Sequence, residues 1–157
     1  MSFYKILLLS FSGFICLSGC SKKQDNNQPN QGSKTFSYYS NSQIDTLAGY
    51  TIKSGNFTVF EYNYVHPDDP AIADDEVSDK IIFQIPASQT SFNIADSQIT
   101  NVTFRRWRYC FCFFIGPYMN YGGTITGVKN GNSWMITGNI KTSGSETIDV
   151  SGTYTIK

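Results

Sequence analysis

Apolar and polar residues alternate with a period of two through most of the chain after residue 34. Such alternation predicts β-strands, and we find no convincing 3.6-residue spacing of the kind an amphipathic helix shows. The pattern predicts nine strand segments: Thr35–Ser40, Gly49–Lys53, Asn56–Val65, Lys80–Pro86, Ser91–Ile94, Gln98–Gly116, Gly122–Lys129, Ser133–Thr142 and Glu146–Ile156. The segment Gln98–Gly116 is long enough to be broken by a bulge or to form two strands.

Turn-forming residues separate these segments. Asn130-Gly131-Asn132 and Ser143-Gly144-Ser145 lie between the last three of them. Asn-Gly is a strong hairpin signal because both residues tolerate positive φ, so these segments predict a C-terminal meander. The sequence as a whole predicts one all-β domain over residues 35–157, an antiparallel sandwich or small barrel of about 8–10 strands.

The first twenty residues have a different character. Lys5 is their only charged residue, and a continuous apolar stretch runs from Ile6 to Leu17. A membrane-spanning helix needs about 20 apolar residues, so this stretch has the length of a signal-peptide core and not of a permanent anchor.

The apolar stretch ends in Leu17-Ser18-Gly19-Cys20, which resembles the lipobox of bacterial lipoproteins. The resemblance implies that residues 1–19 are a signal peptide, that a signal peptidase of type II cuts before Cys20, and that Cys20 carries acyl chains such as palmitate. The membrane is then a partner, reached through those chains. Ser21 follows the cysteine, where an Asp would retain a lipoprotein in the inner membrane of enteric bacteria, so an outer-membrane location is favoured.

Residues 21–34 contain no large apolar side chain. A segment with nothing to bury is predicted to stay disordered, so we expect residues 20–34 to form a lipidated tether.

Composition narrows the classes of function. Twelve basic and twelve acidic residues cancel, which argues against a general nucleic-acid binder. The chain is 40% apolar and only 15% charged, which is too apolar for a disordered protein. Aromatic residues reach 15%, and Tyr and Phe favour strands over helices.

An acidic run between Tyr64 and Lys80 is the first candidate for chemistry. Dense carboxylates suit Ca²⁺, which takes oxygen ligands, although the spacing matches no EF-hand. The calcium hypothesis names four ligands: Asp74, Asp75, Glu76 and Asp79. The alternatives are a solvated acidic loop without a cofactor, and a carbohydrate-active hydrolase that uses the loop 68–79. Hydrolysis needs two carboxyl groups about 5–10 Å apart across a cleft, which one loop does not supply by itself.

An aromatic and basic segment around residues 103–115 is the second candidate. Strand alternation places Trp107 and Tyr109 on one face, with Arg106 and Arg108 on the other. The aromatic face is predicted to belong to the core. The alternative is an exposed platform for a ligand such as a sugar ring, with five members: Trp107, Tyr109, Tyr118, Tyr121 and Trp134.

Cys110 and Cys112 form the third candidate. A regular strand separates residues i and i+2 by about 6.6 Å with parallel Cβ vectors, which opposes a disulfide, but a bulge would permit one. An extracytoplasmic location favours that disulfide. A pair of free thiols and a site for Cu(I) or Zn²⁺ are the alternatives.

No catalytic arrangement emerges from the remaining residues. His66 is the only histidine, and the chain contains no Gly-x-Ser-x-Gly motif. We therefore expect a non-enzymatic binding or structural module of the cell envelope, with a glycan or protein as its unidentified partner.

Overall fold

A computed structural model describes residues 32–45, 51–68, 76–100, 104–110, 120–143 and 145–157. The protein is all-β, as predicted. The described residues form ten strands. The first five are β1 (Ser33–Asp45), β2 (Thr51–Ser54), β3 (Phe57–Val65), β4 (Ser78–Pro86) and β5 (Ser91–Ala95). The others are β6 (Phe104–Tyr109), β7 (Asn120–Asn130), β8 (Ser133–Thr142), β9 (Thr147–Asp149) and β10 (Gly152–Ile156).

All ten strands belong to one strongly curled sheet that resembles half of a barrel. Eight strands follow the order β5-β7-β8-β10-β1-β3-β4-β6, while β2 pairs with β1 and β9 with β8. The architecture is thus closer to the barrel than to the sandwich. The expectation of a purely antiparallel sheet is wrong at one place, since β1 and β10 pair in parallel through Ser37 with Thr155 and Tyr38 with Ile156.

The predicted C-terminal meander is confirmed. β7 and β8 form an antiparallel hairpin that turns at Gly131, where φ is +58°. The segment Glu146–Ile156 folds back on β8 but is interrupted, because β9 ends at Asp149 and β10 starts at Gly152. Ser151 occupies the break, where its Oγ accepts a hydrogen bond from the amide of Gly138 at 3.0 Å.

The core lies on the concave face of the sheet and is rich in aromatic rings. Phe60 stacks on Phe83 at 4.9 Å between ring centroids and meets the edge of Trp134 at 5.2 Å. Glycines make room for two further rings, since the Phe92 ring fills the space beside Gly127 and the Phe36 ring the space beside Gly152. Burying aromatic side chains on this scale is the main source of stability for a small β protein.

The convex face is covered at its centre. Val59 on β3 and Ile82 on β4 point away from the core and are fully buried. β1 changes register between Tyr39 and Ser42, and beyond this irregularity the backbone amide of Ile44 donates to Oε1 of Gln84 at 2.8 Å. The second half of β1 and its partner β2 therefore lie over the outer face of β4.

The region between β5 and β7 differs from the predicted long strand. Residues Asp96–Gln98 form a short 3₁₀ helix, and Ile99 is buried in the core. Among the described residues of the predicted segment Gln98–Gly116, those of β6 form a strand. Residues 111–119 lie outside the described residues. The side chain of Asn120 on β7 donates to the carbonyl of Phe104 on β6 at 3.0 Å, which joins the two sides of the curled sheet.

Candidate functional site

The face that β6 turns toward the core is the opposite of the predicted one. Phe104 is 1% exposed and Arg106 is buried, whereas Tyr109 is 56% exposed. Trp107 and Tyr109 thus lie on the convex face, and their assignment to the core was wrong. The arginines could take the inner face because β4, the strand next to β6, supplies a carboxylate there.

That carboxylate is Asp79, and it organises an interior ion cluster. In the β4–β6 register Asp79 faces Arg108, and Ile81 faces Arg106. Asp79 Oδ1 accepts from Arg106 Nη2 at 3.0 Å, and Asp79 Oδ2 accepts from Arg108 Nη2 at 2.7 Å. His66 Nε2 lies 2.7 Å from the same Oδ2.

The interior ion cluster also reaches across the sheet to Glu146. Glu146 lies just before β9, and its two oxygens accept from Arg106 Nη2 and Arg108 Nη2, each at 2.9 Å. The cluster thus ties β4 and β6 to the C-terminal meander. We define it as Asp79, Arg106, Arg108, Glu146 and His66.

The carboxylates of the cluster are held in the ionised form. Burial alone raises the pKa of Asp79, but hydrogen bonds from Arg108 and His66 and the charge of Arg106 outweigh burial, so its pKa lies below the ordinary value. The pKa of Glu146 is lowered in the same way, because the hydrogen bonds of both arginines outweigh desolvation. Chemically, the cluster is a network of ion pairs that holds strands together.

This geometry bears on the calcium hypothesis. Asp79 directs both oxygens at cations of the protein, so it is not available as a calcium ligand. Glu76 is exposed, and Asp74 and Asp75 lie outside the described residues. Within the described ranges, no group of three or more His, Cys, Asp or Glu side chains is arranged to hold a metal ion.

A second buried carboxylate lies on the convex face, at a residue for which no role was predicted. Glu61 on β3 is 4% exposed. Its Oε2 lies 2.8 Å from Lys80 Nζ, and its Oε1 lies 3.2 Å from Lys157 Nζ. Burial by itself raises the pKa of Glu61, but the hydrogen bonds from the two lysines outweigh it and the net shift is downward.

Glu61 lies in the wall of an open cleft of about 430 Å³ between the convex face and the β1–β2 hairpin. Its wall combines one ion pair with aromatic and apolar side chains. The lining residues are Tyr39, Thr51, Ile52, Glu61, Lys80, Trp107 and Tyr109. We call this the outer cleft.

The predicted aromatic platform is only partly brought together. Trp107 and Tyr109 share the convex face and both line the outer cleft. Trp134 is 1% exposed inside the core, so its inclusion in the platform was wrong. Tyr118 and the side chain of Tyr121 lie outside the described residues.

Cys110 follows β6 directly and is disulfide-bonded. Cys112 lies outside the described residues, so the predicted Cys110–Cys112 pair stays a prediction.

No protein-family model, curated protein or solved structure matches this chain. The residues of the site must therefore be interpreted from their own geometry. Glu61 and Lys80 were missed because their partners come from other strands. A signal was present, however: Glu61 is the single charge in the run Val59-Phe60-Glu61-Tyr62, and a lone acid in an otherwise apolar strand indicates a paired, buried carboxylate.

Proposed function

We propose that this protein is an acyl-anchored module of the bacterial cell envelope whose β domain binds a saccharide in the outer cleft. The observation that carries the proposal is the composition of the cleft, in which Trp107 and Tyr109 lie beside the buried carboxylate of Glu61 and the half-buried Lys80 that pairs with it. Its volume of about 430 Å³ falls in the range of small-molecule sites.

A sugar matches both kinds of surface in the outer cleft. The apolar face of a pyranose ring can stack on aromatic rings such as those of Trp107 and Tyr109. The hydroxyl groups around the edge of the sugar need hydrogen-bond partners. A carboxylate and an ammonium provide charge-assisted hydrogen bonds, which are stronger than neutral ones. Because the charged residues that line the cleft are one acid, Glu61, and one base, Lys80, a neutral saccharide is the better fit.

The paired carboxylates of the two ion groups favour binding, because none of them is suited to act as the general acid that hydrolysis needs. A glycosidase needs one carboxyl group with a raised pKa to act as the general acid. The pKa values of Glu61, Asp79 and Glu146 are all lowered, so these groups are ionised at neutral pH and cannot donate a proton.

The anchoring part of the proposal rests on the lipobox that ends at Cys20. Two or more acyl chains give stable membrane attachment without a spanning segment. Among the described residues, no helix has the length and apolar character needed to cross a membrane.

The anchor is tested by the mass of the protein extracted from membranes of a bacterial expression host. The expected result is a chain that starts at residue 20 and carries the mass of acyl chains, and loss of that mass in Cys20→Ser. A mature chain that starts elsewhere, or that carries no added mass, contradicts the anchor but leaves the outer cleft untouched.

Saccharide binding is tested on the chain from residue 20 with Cys20→Ser, using a glycan array followed by calorimetry with the sugars retained. Trp107→Ala should weaken binding by about tenfold or more, since truncating an aromatic residue that anchors a binding site costs about 2 kcal/mol or more. Met135→Ala is the matched control, because Met135 is 59% exposed on β8, away from the cleft. An empty array, or equal affinities for both variants, overturns the assignment.

A further inference from the structure

One end of the sheet carries both the start of the folded chain and a row of adjacent strand ends. In the register, Ser33 of β1 faces Val65 of β3, Val65 faces Ser78 of β4, and Ser78 faces Tyr109 of β6. We call this the entry end of the sheet. The β7–β8 turn lies at the opposite end of the sheet. β8 starts at this turn and runs toward the entry end, whereas β1 starts at the entry end and runs away from it.

The entry end also carries an apolar groove of about 640 Å³. It is a different cavity from the outer cleft, and Trp107 and Tyr109 line both of them. Val65 and Val77 contribute its aliphatic surface. Val65 is 52% exposed and Tyr109 is 56% exposed. Large exposed apolar side chains that cluster beside a groove mark an interaction surface.

The chain outside the described fold determines what this surface meets. Twelve residues lie between Cys20 and Ser33. The sequence predicts a disordered tether here, and a flexible linker of that length has a root-mean-square span of about 20 Å. If Cys20 is acylated, its own tether holds Ser33, at the same end of the sheet as the groove, at about that distance from the bilayer, and the effective concentration of the domain there is in the millimolar range.

We propose that the apolar groove docks on the lipid surface to which the protein is anchored, with Trp107 and Tyr109 at the level of the lipid headgroups. The inference rests on the anchoring part of the proposed function and goes beyond it, since an anchor alone leaves the domain free to rotate. Trp and Tyr are suited to this position because each presents an apolar body and a polar tip.

The charges near the groove are of both signs. Glu76 and Arg108 both line it, and Lys22 and Lys23 lie in the tether. Docking is therefore expected to depend on apolar contact and to be of similar strength on zwitterionic phosphatidylcholine vesicles and on vesicles with added phosphatidylglycerol.

The first test is sedimentation of the chain from residue 20, carrying Cys20→Ser, with phosphatidylcholine vesicles. Val65→Glu is expected to lower the partition coefficient by about tenfold or more, because it places a charge where apolar surface meets lipid. Val128→Glu is the matched control, since Val128 is 58% exposed beside the β7–β8 turn. Near-UV circular dichroism verifies that both variants are folded.

The second test uses the two tryptophans of the chain as internal probes. Trp107 lines the groove, whereas Trp134 is buried in the core. Lipids with brominated acyl chains should quench the Trp107 component of the fluorescence of the acylated protein and leave the Trp134 component unchanged.

Each outcome decides between the two proposals. Acylated protein that binds vesicles without quenching keeps the anchor and overturns docking. Quenching of the unacylated chain, combined with an unmodified Cys20, keeps docking and overturns the anchor. Equal partitioning of Val65→Glu and Val128→Glu into vesicles overturns docking. Docking is also overturned if sedimentation equilibrium shows a dimer that Val65→Glu dissociates, because a second copy of the chain would then cover the groove.

Discussion

Two buried carboxylates lie on neighbouring strands of this sheet, on opposite faces, and their partners differ. Asp79 on the concave face is held by two arginines, of which Arg106 has a side chain with no exposed surface. Glu61 on the convex face is held by two lysines whose side chains are 32% and 60% exposed. Both carboxylates have lowered pKa values.

The difference separates a structural ion group from one that can bind a ligand. An arginine fork fits a carboxylate in a fixed geometry, so the interior cluster is held rigidly and joins strands. A lysine is a flexible point charge, and Lys80 lies at the surface of an open cleft. The first site should therefore control stability, and the second should control binding.

The largest expected effect is at the interior ion cluster. Asp79→Asn removes the charge that compensates Arg106, and an uncompensated buried charge costs about 3–5 kcal/mol. We expect the lower part of that range, because Glu146 still accepts from both arginines. Urea unfolding gives the free energy of unfolding directly.

Glu146→Gln is the matched control for this prediction. Its carboxylate touches the same arginines but is 38% exposed, so water can replace it and the loss should be smaller. Equal losses for the two variants would show that burial does not distinguish these carboxylates.

Much of the fold was accessible from sequence because its signals are local. Alternation located the strands, and Asn130-Gly131 located the hairpin that starts the meander. The parallel pairing of Tyr38 with Ile156 was not accessible, because it joins residues from the two ends of the folded region. Only the closure of the sheet brings these strands together.

The candidate site was less accessible for a related reason. Alternation assigns residues to two faces but does not say which face is buried. On β6 the aromatic face was expected inside, yet Asp79 on the neighbouring strand made the arginine face the interior one. The ion pairs of Glu61 depend on Lys80 and Lys157 from two other parts of the chain, which no local pattern reveals.

A smaller loss of stability is expected at the convex face. Glu61→Gln leaves Lys80 and Lys157 free to turn toward water, so we expect a loss of about 1–2 kcal/mol, close to the cost of a single broken buried hydrogen bond. Glu61→Gln should also abolish detectable binding of any saccharide that the wild-type protein binds. A loss as large as that of Asp79→Asn, measured by urea unfolding, would contradict the distinction between the two sites.

The smallest expected effect is in the dependence of stability on pH. Because folding lowers the pKa values of Asp79 and Glu61, the unfolded chain binds more protons in acid. Their stabilisation is therefore complete above the ordinary values of about 3.9 for Asp and 4.3 for Glu, and is lost as the pH falls through the lowered values.

Each carboxylate contributes less than one proton to this dependence, which limits its slope to about 1.4 kcal/mol per pH unit. Asp79→Asn and Glu61→Gln should each flatten the acid limb measured by urea unfolding between pH 2 and 5, and the slopes should coincide with that of wild type near pH 7. If a variant keeps the wild-type slope in acid, the carboxylate that it lacks does not have a lowered pKa, and its ion pair does not contribute to stability through charge.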